Sequence, residues 1–297
     1  MKKFDQAIAT LQAVEKDANG TALVRKTLGN KSNYLVAKAA QKAEQFGWKE
    51  LVPDLAKAFE RFFESPDQQC WAKIALAKAL SALEYDEPAL YLRGLRHVQM
   101  EPVWGGQQDA AGPLRGQCAL ALIQCRQLSD LDVLSALTEA LADSDKTVRM
   151  EAARAIASLG RPEGGLLLRL RALVGDADPE VLGAAFTGIL ELNRRDGISF
   201  VERFLDGDPD VTAEAAISMG ATHDEEALRI LRERFNREIL PETRATLLRG
   251  IALTRLPGAL TWLVGLVKEG GSDGRGAREA LECVPLPEEI RNSFPEK

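Results

Sequence analysis

Two histidines, His97 and His223, and four cysteines, Cys70, Cys118, Cys125 and Cys283, are the residues of this chain best suited to nucleophilic, redox or metal chemistry. Their spacing supports none of it. No Cys-x-x-Cys occurs, and with two imidazoles a nitrogen/sulfur zinc site runs short of ligands. Cys118 and Cys125 are seven apart on one predicted helix, about 10 Å along its axis, too far for a disulfide within it. The cysteines read as small buried hydrophobes in a reducing compartment. Asp86 and Glu87 are adjacent carboxylates, but neighbours on a helix diverge by about 100° and make a poor acid–base dyad. No Ser/His/Asp or Cys/His arrangement is visible. The run Gly270-Gly271-Ser272-Asp273-Gly274-Arg275-Gly276 lacks the preceding strand and the Gly-Lys-Ser/Thr of a phosphate loop, and reads as a long flexible turn before the last helix. No catalytic residue, metal or cofactor is expected, and the balance leans away from an enzyme.

The elements carrying these residues follow from a repeat. The phrase Val148-Arg149-Met150-Glu151-Ala152-Ala153-Arg154-Ala155-Ile156 returns with anchors at Leu35, Ala72, Leu114, Val148, Val181, Val211, Thr243 and Asp273. The intervals are 37, 42, 34, 33, 30, 32 and 30 residues. A period in this range marks stacked supersecondary units. Within the phrase, apolar or small residues fall at 0, +4, +8 and +11, as in Val181, Ala185, Ile189 and Leu192, which makes one stripe on a helix. Small residues at +4 and +5 let neighbouring helices approach closely. Turns rich in Asp, Ser and Pro precede the phrase, among them Ser65-Pro66-Asp67, Asp143-Ser144-Asp145 and Asp206-Gly207-Asp208-Pro209-Asp210. These are helix N-cap and N1 residues. A longer aliphatic helix lies upstream of each turn, for example Leu51–Phe63, Leu131–Leu141, Leu166–Val174 and Glu225–Phe235. Each repeat is thus helix A, turn, helix B, and stacking buries the stripes that neither helix can hide alone. One all-α array over residues 1–297 is expected: a capping helix in 1–20, about eight helix–turn–helix repeats in 21–284, and a tail in 285–297.

The phrase Asp145-Lys146-Thr147-Val148-Arg149-Met150-Glu151-Ala152-Ala153 resembles the second helix of HEAT repeats, and the run at 153–160 looks like the phycobilisome-lyase HEAT-like subclass. The resemblance spans roughly residues 21–284. It implies a right-handed, armadillo-like α-solenoid whose B helices line the concave side. It also implies a pairing of the turn aspartate with the arginine after the valine, here Asp145 with Arg149, kept at Arg115 and Arg244 but replaced by Leu182, Thr212 and Gly274. For function the resemblance is broad, since such arrays serve scaffolding, transport, chromophore attachment and DNA repair.

Net charge is −6, which excludes the strongly basic field of a non-specific nucleic-acid binder. The charge is uneven: residues 1–100 hold 15 Lys+Arg against 12 Asp+Glu, and the rest 23 against 32. Eleven of the 17 aromatics lie in residues 1–104, where they read mainly as a bulkier core. The longest interval contains the insertion 99–113, with Trp104-Gly105-Gly106 at its centre. Insertions in repeat proteins emerge as loops, often on the binding face, and Trp is a favoured interface anchor. The competing reading has Trp104 tucked back over a gap between repeats. The outward B-helix positions and this loop supply the candidate binding residues: Lys38, Gln41, Lys78, Trp104, Gln107, Gln117, Glu151, Arg154, Glu191 and Arg249. The function expected is a non-enzymatic scaffold that binds a protein or peptide on this face. The alternatives are a phycobilin lyase-like chromophore-attaching protein and, less favoured, a HEAT-like DNA glycosylase with Trp71, Trp104 and Asp109 in its roles. A nucleic-acid partner is not expected. No secretory h-region follows Met1-Lys2-Lys3 and no run of about 18 apolar residues occurs, so a cytoplasmic protein is expected.

Overall fold

A computed structural model describes residues 2–293 of the protein. Its helices group into two compact units, one reaching to Ala155 and the other starting at Ile156. The division falls inside helix α9 (Lys146–Leu159).

In the first unit, α1 (Lys2–Gln12) packs on α3 (Asn33–Phe46), and three helix pairs follow in order. They are α2 (Ala18–Leu28) with α3, α4 (Val52–Phe62) with α5 (Trp71–Ala82), and α6 (Pro88–Leu95) with α7 (Gly112–Leu122). Helix α8 (Asp130–Leu141) packs on α7 and leads into α9. The B helices α3, α5 and α7 lie side by side. The second unit repeats the plan. Its pairs are α10 (Pro162–Val174) with α11 (Pro179–Leu192), α12 (Arg194–Val201) with α13 (Pro209–Gly220), α14 (Glu225–Arg237) with α15 (Pro241–Leu253), and α16 (Pro257–Glu269) with α17 (Gly271–Glu282). Here α11, α13, α15 and α17 are successive neighbours. A short α18 (Glu288–Asn292) lies in the segment read as a tail, whose residues 294–297 fall outside those described. All eight anchors sit on B helices, and the fold is an all-α solenoid of helix pairs. Among the described residues no helix is long and apolar enough to cross a membrane.

Periodicity explains the packing. Val148, Ala152, Ile156, Val181, Ala185 and Ile189 are buried as the stripe requires. Small residues bring backbones together: a Cβ on Gly220 of α13 would collide with the carbonyl of Gly250 on α15, and one on Gly250 would sit 2.6 Å from the carbonyl of Ala216. The aspartate turns start helices, with Asp17 accepting from the Gly20 amide at 2.6 Å and Asp208 from the Asp210 amide at 2.9 Å.

One repeat position, the residue after the anchor, does a job that spacing alone did not reveal. A helix leaves its last carbonyls without partners. Lys73 donates to the carbonyl of Phe62, Arg115 to that of His97, and Arg149 to those of Asp143 and Ser144. In the second unit Thr212 donates to the carbonyls of Phe204 and Leu205, and Arg244 to those of Phe235 and Glu238. Lys73 and Arg244 thus cap the last turn of helix A in their own repeats, while Arg115, Arg149 and Thr212 bind carbonyls of the segment that joins helix A to helix B. The arginines also reach forward: Arg115 pairs with Asp143 in the turn of the following repeat, and Arg244 with Asp273 in the first turn of the following B helix, α17. The arginine–aspartate ladder thus links successive repeats at these two places.

Two readings are corrected. The insertion is no loose loop but a β-hairpin, β1 (Met100–Val103) paired antiparallel with β2 (Gly106–Asp109). The glycine run 270–276 is no long flexible turn, because α17 already begins at Gly271. Gly274 is small because the end of α16 crowds it: a Cβ there would lie 2.7 Å from the Leu266 carbonyl.

Candidate functional site

The first unit carries a trough on its B-helix face, assembled from three adjoining cavities. The first, about 180 Å³, lies between Ile8, Leu11 and Gln12 of α1 and Lys38, Gln41, Lys42 and Gln45 of α3. The second, about 320 Å³, lies between α3 and α5, lined by Tyr34, Ala37, Lys38, Gln41, Glu44, Trp71, Ile74, Ala75 and Lys78. The third, about 480 Å³, lies between α5 and the hairpin and includes Gln69, Trp71, Ile74, Glu101, Val103, Gln108 and Pro113. Lys38 and Gln41 are shared by the first pair, Trp71 and Ile74 by the second. The three therefore adjoin one another along this face.

Aromatic residues and cations alternate along it. Phe4 packs against Tyr34 at 5.8 Å between ring centres, and Tyr34 meets Trp71 edge-on at 6.0 Å. Lys38 lies 5.5 Å from the centre of the Tyr34 ring and donates to Gln41 at 3.2 Å. Lys42 lies 5.3 Å from the Phe46 ring, and Lys78 pairs with Glu44 at 3.4 Å while staying exposed. Such cation–ring contacts hold the ammonium groups near an apolar surface and leave them open to an anion.

The backbone entering Trp71 is strained. Gln69 and Cys70 both adopt left-handed conformations, φ 54° and 53°, a state that costs non-glycine residues about 1–3 kcal/mol each. Polar contacts hold it. The Asp67 carboxylate, 4% exposed, accepts from the amides of Ala72 and Lys73, each at 3.0 Å. The Gln69 amide donates to Glu101 on the hairpin at 2.6 Å. Lys73 Nζ reaches Gln99 at 2.8 Å, and the Gln99 side-chain amide donates to the Asp67 carbonyl at 2.7 Å. The strained turn and the hairpin thus share one hydrogen-bonded network, exposed at Gln69 and part-buried at Gln99.

A second set of bonds fixes the hairpin base. Asp109 accepts from the amides of Gln99 at 2.9 Å and Ala111 at 3.0 Å, and from Arg115 at 2.5 Å. Arg115, itself 4% exposed, grips Asp143 with two further bonds of 2.7 and 2.8 Å. Partial burial pushes the Asp109 pKa up, but the two amides and the guanidinium outweigh it and hold the carboxyl below its usual range. The oxygens of Asp109 are committed to holding this base. At the other end Gly105 takes φ +89° in the turn, and Trp104 stands fully exposed at 102%. It does not tuck back between repeats.

The expected binding residues divide. Lys38, Gln41 and Lys78 come together in the trough, and Trp104 and the exposed Gln107 lie on the hairpin that walls it. Gln117 is half-buried on α7, and Glu151 and Arg154 form an ion pair of 2.6 Å on α9. Glu191 and Arg249 are exposed on α11 and α15 of the second unit. Tyr34, Trp71 and Pro113 are site residues the outward-position rule left out. All three precede an anchor by one, and −1 lies at a helix angle between those of +3 and +6. Adding that position to the pattern would have found them.

Other chemistry-capable residues are engaged elsewhere. His97 packs on Phe63, and burial followed by the charge of Lys73 lowers its pKa. His223 Nδ1 lies 3.0 Å from the Thr254 carbonyl. Burial raises the Cys70 thiol to about 12 and the Cys125 thiol to about 11, and raises Cys118 as well. Among the described residues no group of three or more His, Cys, Asp or Glu could hold a metal ion.

Comparison with known proteins agrees with the repeat reading. A model of HEAT repeats matches residues 166–252. No curated protein matches the chain by sequence. Solved structures that align with it include the complex of CpcE and CpcF of phycocyanin lyase from Nostoc sp., at 17% identity over 75% of this chain and 86% of that one, TM-score 0.38. Human deoxyhypusine hydroxylase in complex with glycerol aligns at 17% identity over 84% of this chain and 89% of that one, TM-score 0.34. An engineered protein aligns at 15% identity over 91% and 96%, TM-score 0.25. The HEAT segment lies in the second unit, and the trough in the first.

Proposed function

We propose that this protein is a non-enzymatic scaffold that holds a peptide segment of a protein partner in the trough of its first unit. The observation that carries this reading is the row of three adjoining cavities from α1 to the hairpin. A peptide laid along them would set aromatic or aliphatic side chains against Tyr34, Trp71 and Ile74, and acidic side chains against Lys38, Lys42 and Lys78. Trp104, held out on a braced hairpin, is a rigid edge anchor of the kind that dominates interface energetics. Binding rather than catalysis fits the site, because burial raises the pKa of the neighbouring Cys70 thiol and the carboxylates Glu44, Glu101 and Asp109 are paired or hydrogen-bonded. The chain's net charge of −6 also favours a protein over a nucleic acid.

Selection of random displayed peptides on the immobilised chain tests the reading. It expects sequences rich in Asp and Glu with aromatic or aliphatic residues between them, losing at least tenfold in affinity on Trp71→Ala or Lys78→Glu. Recovery of no binding peptide, or of peptides indifferent to both substitutions, would reject it.

A further inference from the structure

Helix α10 carries an apolar stripe that faces away from its own core. Leu168 and Ala172 point inward and are buried. On the opposite side Leu166, Leu170, Leu173 and Val174 are 69, 59, 56 and 71% exposed. Single exposed leucines need no explanation, but four on successive turns of one helix make a contiguous patch.

The repeat supplies its own controls. The same outward spacing carries Arg195 and Ser199 in α12 and Glu202 and Arg203 in the 3-10 turn that follows it, all exposed. In α14 it carries Arg229, Glu233, Asn236 and Arg237, also exposed, with Arg229 paired to Glu233 at 2.6 Å. An outward A-helix face in this architecture is thus polar and solvated, whereas that of α10 is aliphatic throughout. Helix propensity does not require it, since Arg, Glu and Lys serve a helix surface as well as Leu does.

We propose that the α10 stripe is covered by the α10 stripe of a second copy of this chain. Three observations select that occupant. First, the stripe is self-complementary: Leu170 has Leu166 four residues before it and Leu173 and Val174 three and four after. An antiparallel pair with its twofold axis at Leu170 sets Leu166 of one copy against Leu173 and Val174 of the other, as an isologous interface demands. Second, Leu166, Leu170 and Val174 form one i±4 ridge, which packs into the matching grooves of its copy at about 50°. Third, the area suits a reversible pair. At about 100 Å² for each aliphatic side chain the stripe offers roughly 400 Å² per copy. Roughly 800 Å² over both copies belongs to the weak, transient class. That is less than the roughly 1,200 Å² of a stable interface, so the pair forms only at high protein concentration.

Sedimentation equilibrium of the full chain from 5 to ~500 μM tests this. A rise in mean mass toward that of two chains is expected, and Leu170→Arg, which brings two like charges together at the axis, should abolish the rise while circular dichroism is unchanged. A wild-type chain that stays monomeric throughout, or a Leu170→Arg variant that still associates, overturns the proposal. Should Leu170→Arg fail to fold, Leu170→Cys decides under mild oxidation. A disulfide mapped between the two introduced cysteines supports the pair, and crosslinking only through the exposed native Cys283 refutes it.

Discussion

Removing the Arg115 guanidinium should loosen the hairpin wall without touching a bound partner. Arg115 spends its donors on three acceptors: Asp143 through two bonds, Asp109, and the His97 carbonyl. Arg115→Met fills much of the same space but leaves two carboxylates and a carbonyl unpaired. Breaking a buried ion pair by removing one partner costs about 3–5 kcal/mol. The carboxylates of Asp109 and Asp143 are 23 and 15% exposed, so water partly compensates and the lower figure, about 3 kcal/mol, applies. Arg115→Lys keeps the charge but not the fork, and should cost about 1–2 kcal/mol. Urea unfolding measures the loss. Hydrogen exchange at Ala110 and Ala111, whose amides close the hairpin base on Gln99 and Asp109, locates it. Adding Asp143→Asn to Arg115→Met should recover part of the loss by removing one stranded charge. A loss below about 1 kcal/mol, with hairpin amides as protected as before, would refute the bracing role.

Further outcomes follow from the same geometry. Trp104→Ala should change stability by less than about 0.5 kcal/mol in thermal unfolding, because the ring touches nothing in the free chain, yet weaken a trough-selected peptide at least tenfold by fluorescence titration. Gly220→Ala should cost about 1–3 kcal/mol or more in urea unfolding, since the added methyl meets the Gly250 carbonyl rather than a movable side chain. The carboxyl of Asp109 is held below its usual range in the fold. Its contribution is therefore present above the unfolded value of about 3.9 and lost as pH falls through the folded one. Asp109→Asn should accordingly lower stability at pH 7 and flatten the acid limb below about pH 4, read by urea unfolding across pH.

The helix pairs were legible because burial on a helix face imposes a period that chemistry cannot disguise. Val148, Ala152 and Ile156 had to share a side, and they do. The hairpin was not legible as strands. Met100-Glu101-Pro102-Val103 contains a proline and little alternation, and the hairpin is stabilised by Gln99 and Glu101 bonding to Asp67 and Gln69, far back along the chain, and by Asp109 bonding to Arg115. The trough was half legible. Lys38, Gln41 and Lys78 fell on the outward positions, whereas Tyr34 and Trp71 at −1 looked like part of an aromatic core. The shared role of Lys73, Arg115, Arg149, Thr212 and Arg244, binding carbonyls at or just after the end of helix A, was hidden because unlike side chains perform it. Glu191 and Arg249 satisfy the outward rule in the second unit, where nothing on the surface distinguishes them from solvated neighbours.

Hydrogen exchange of the full chain, with and without a selected acidic peptide, tests the binding face most directly. Added protection confined to α1, α3, α5 and residues 99–113 is the expected result. Protection centred on helices α11 to α17, or none anywhere at saturating peptide, would contradict the assignment of the trough.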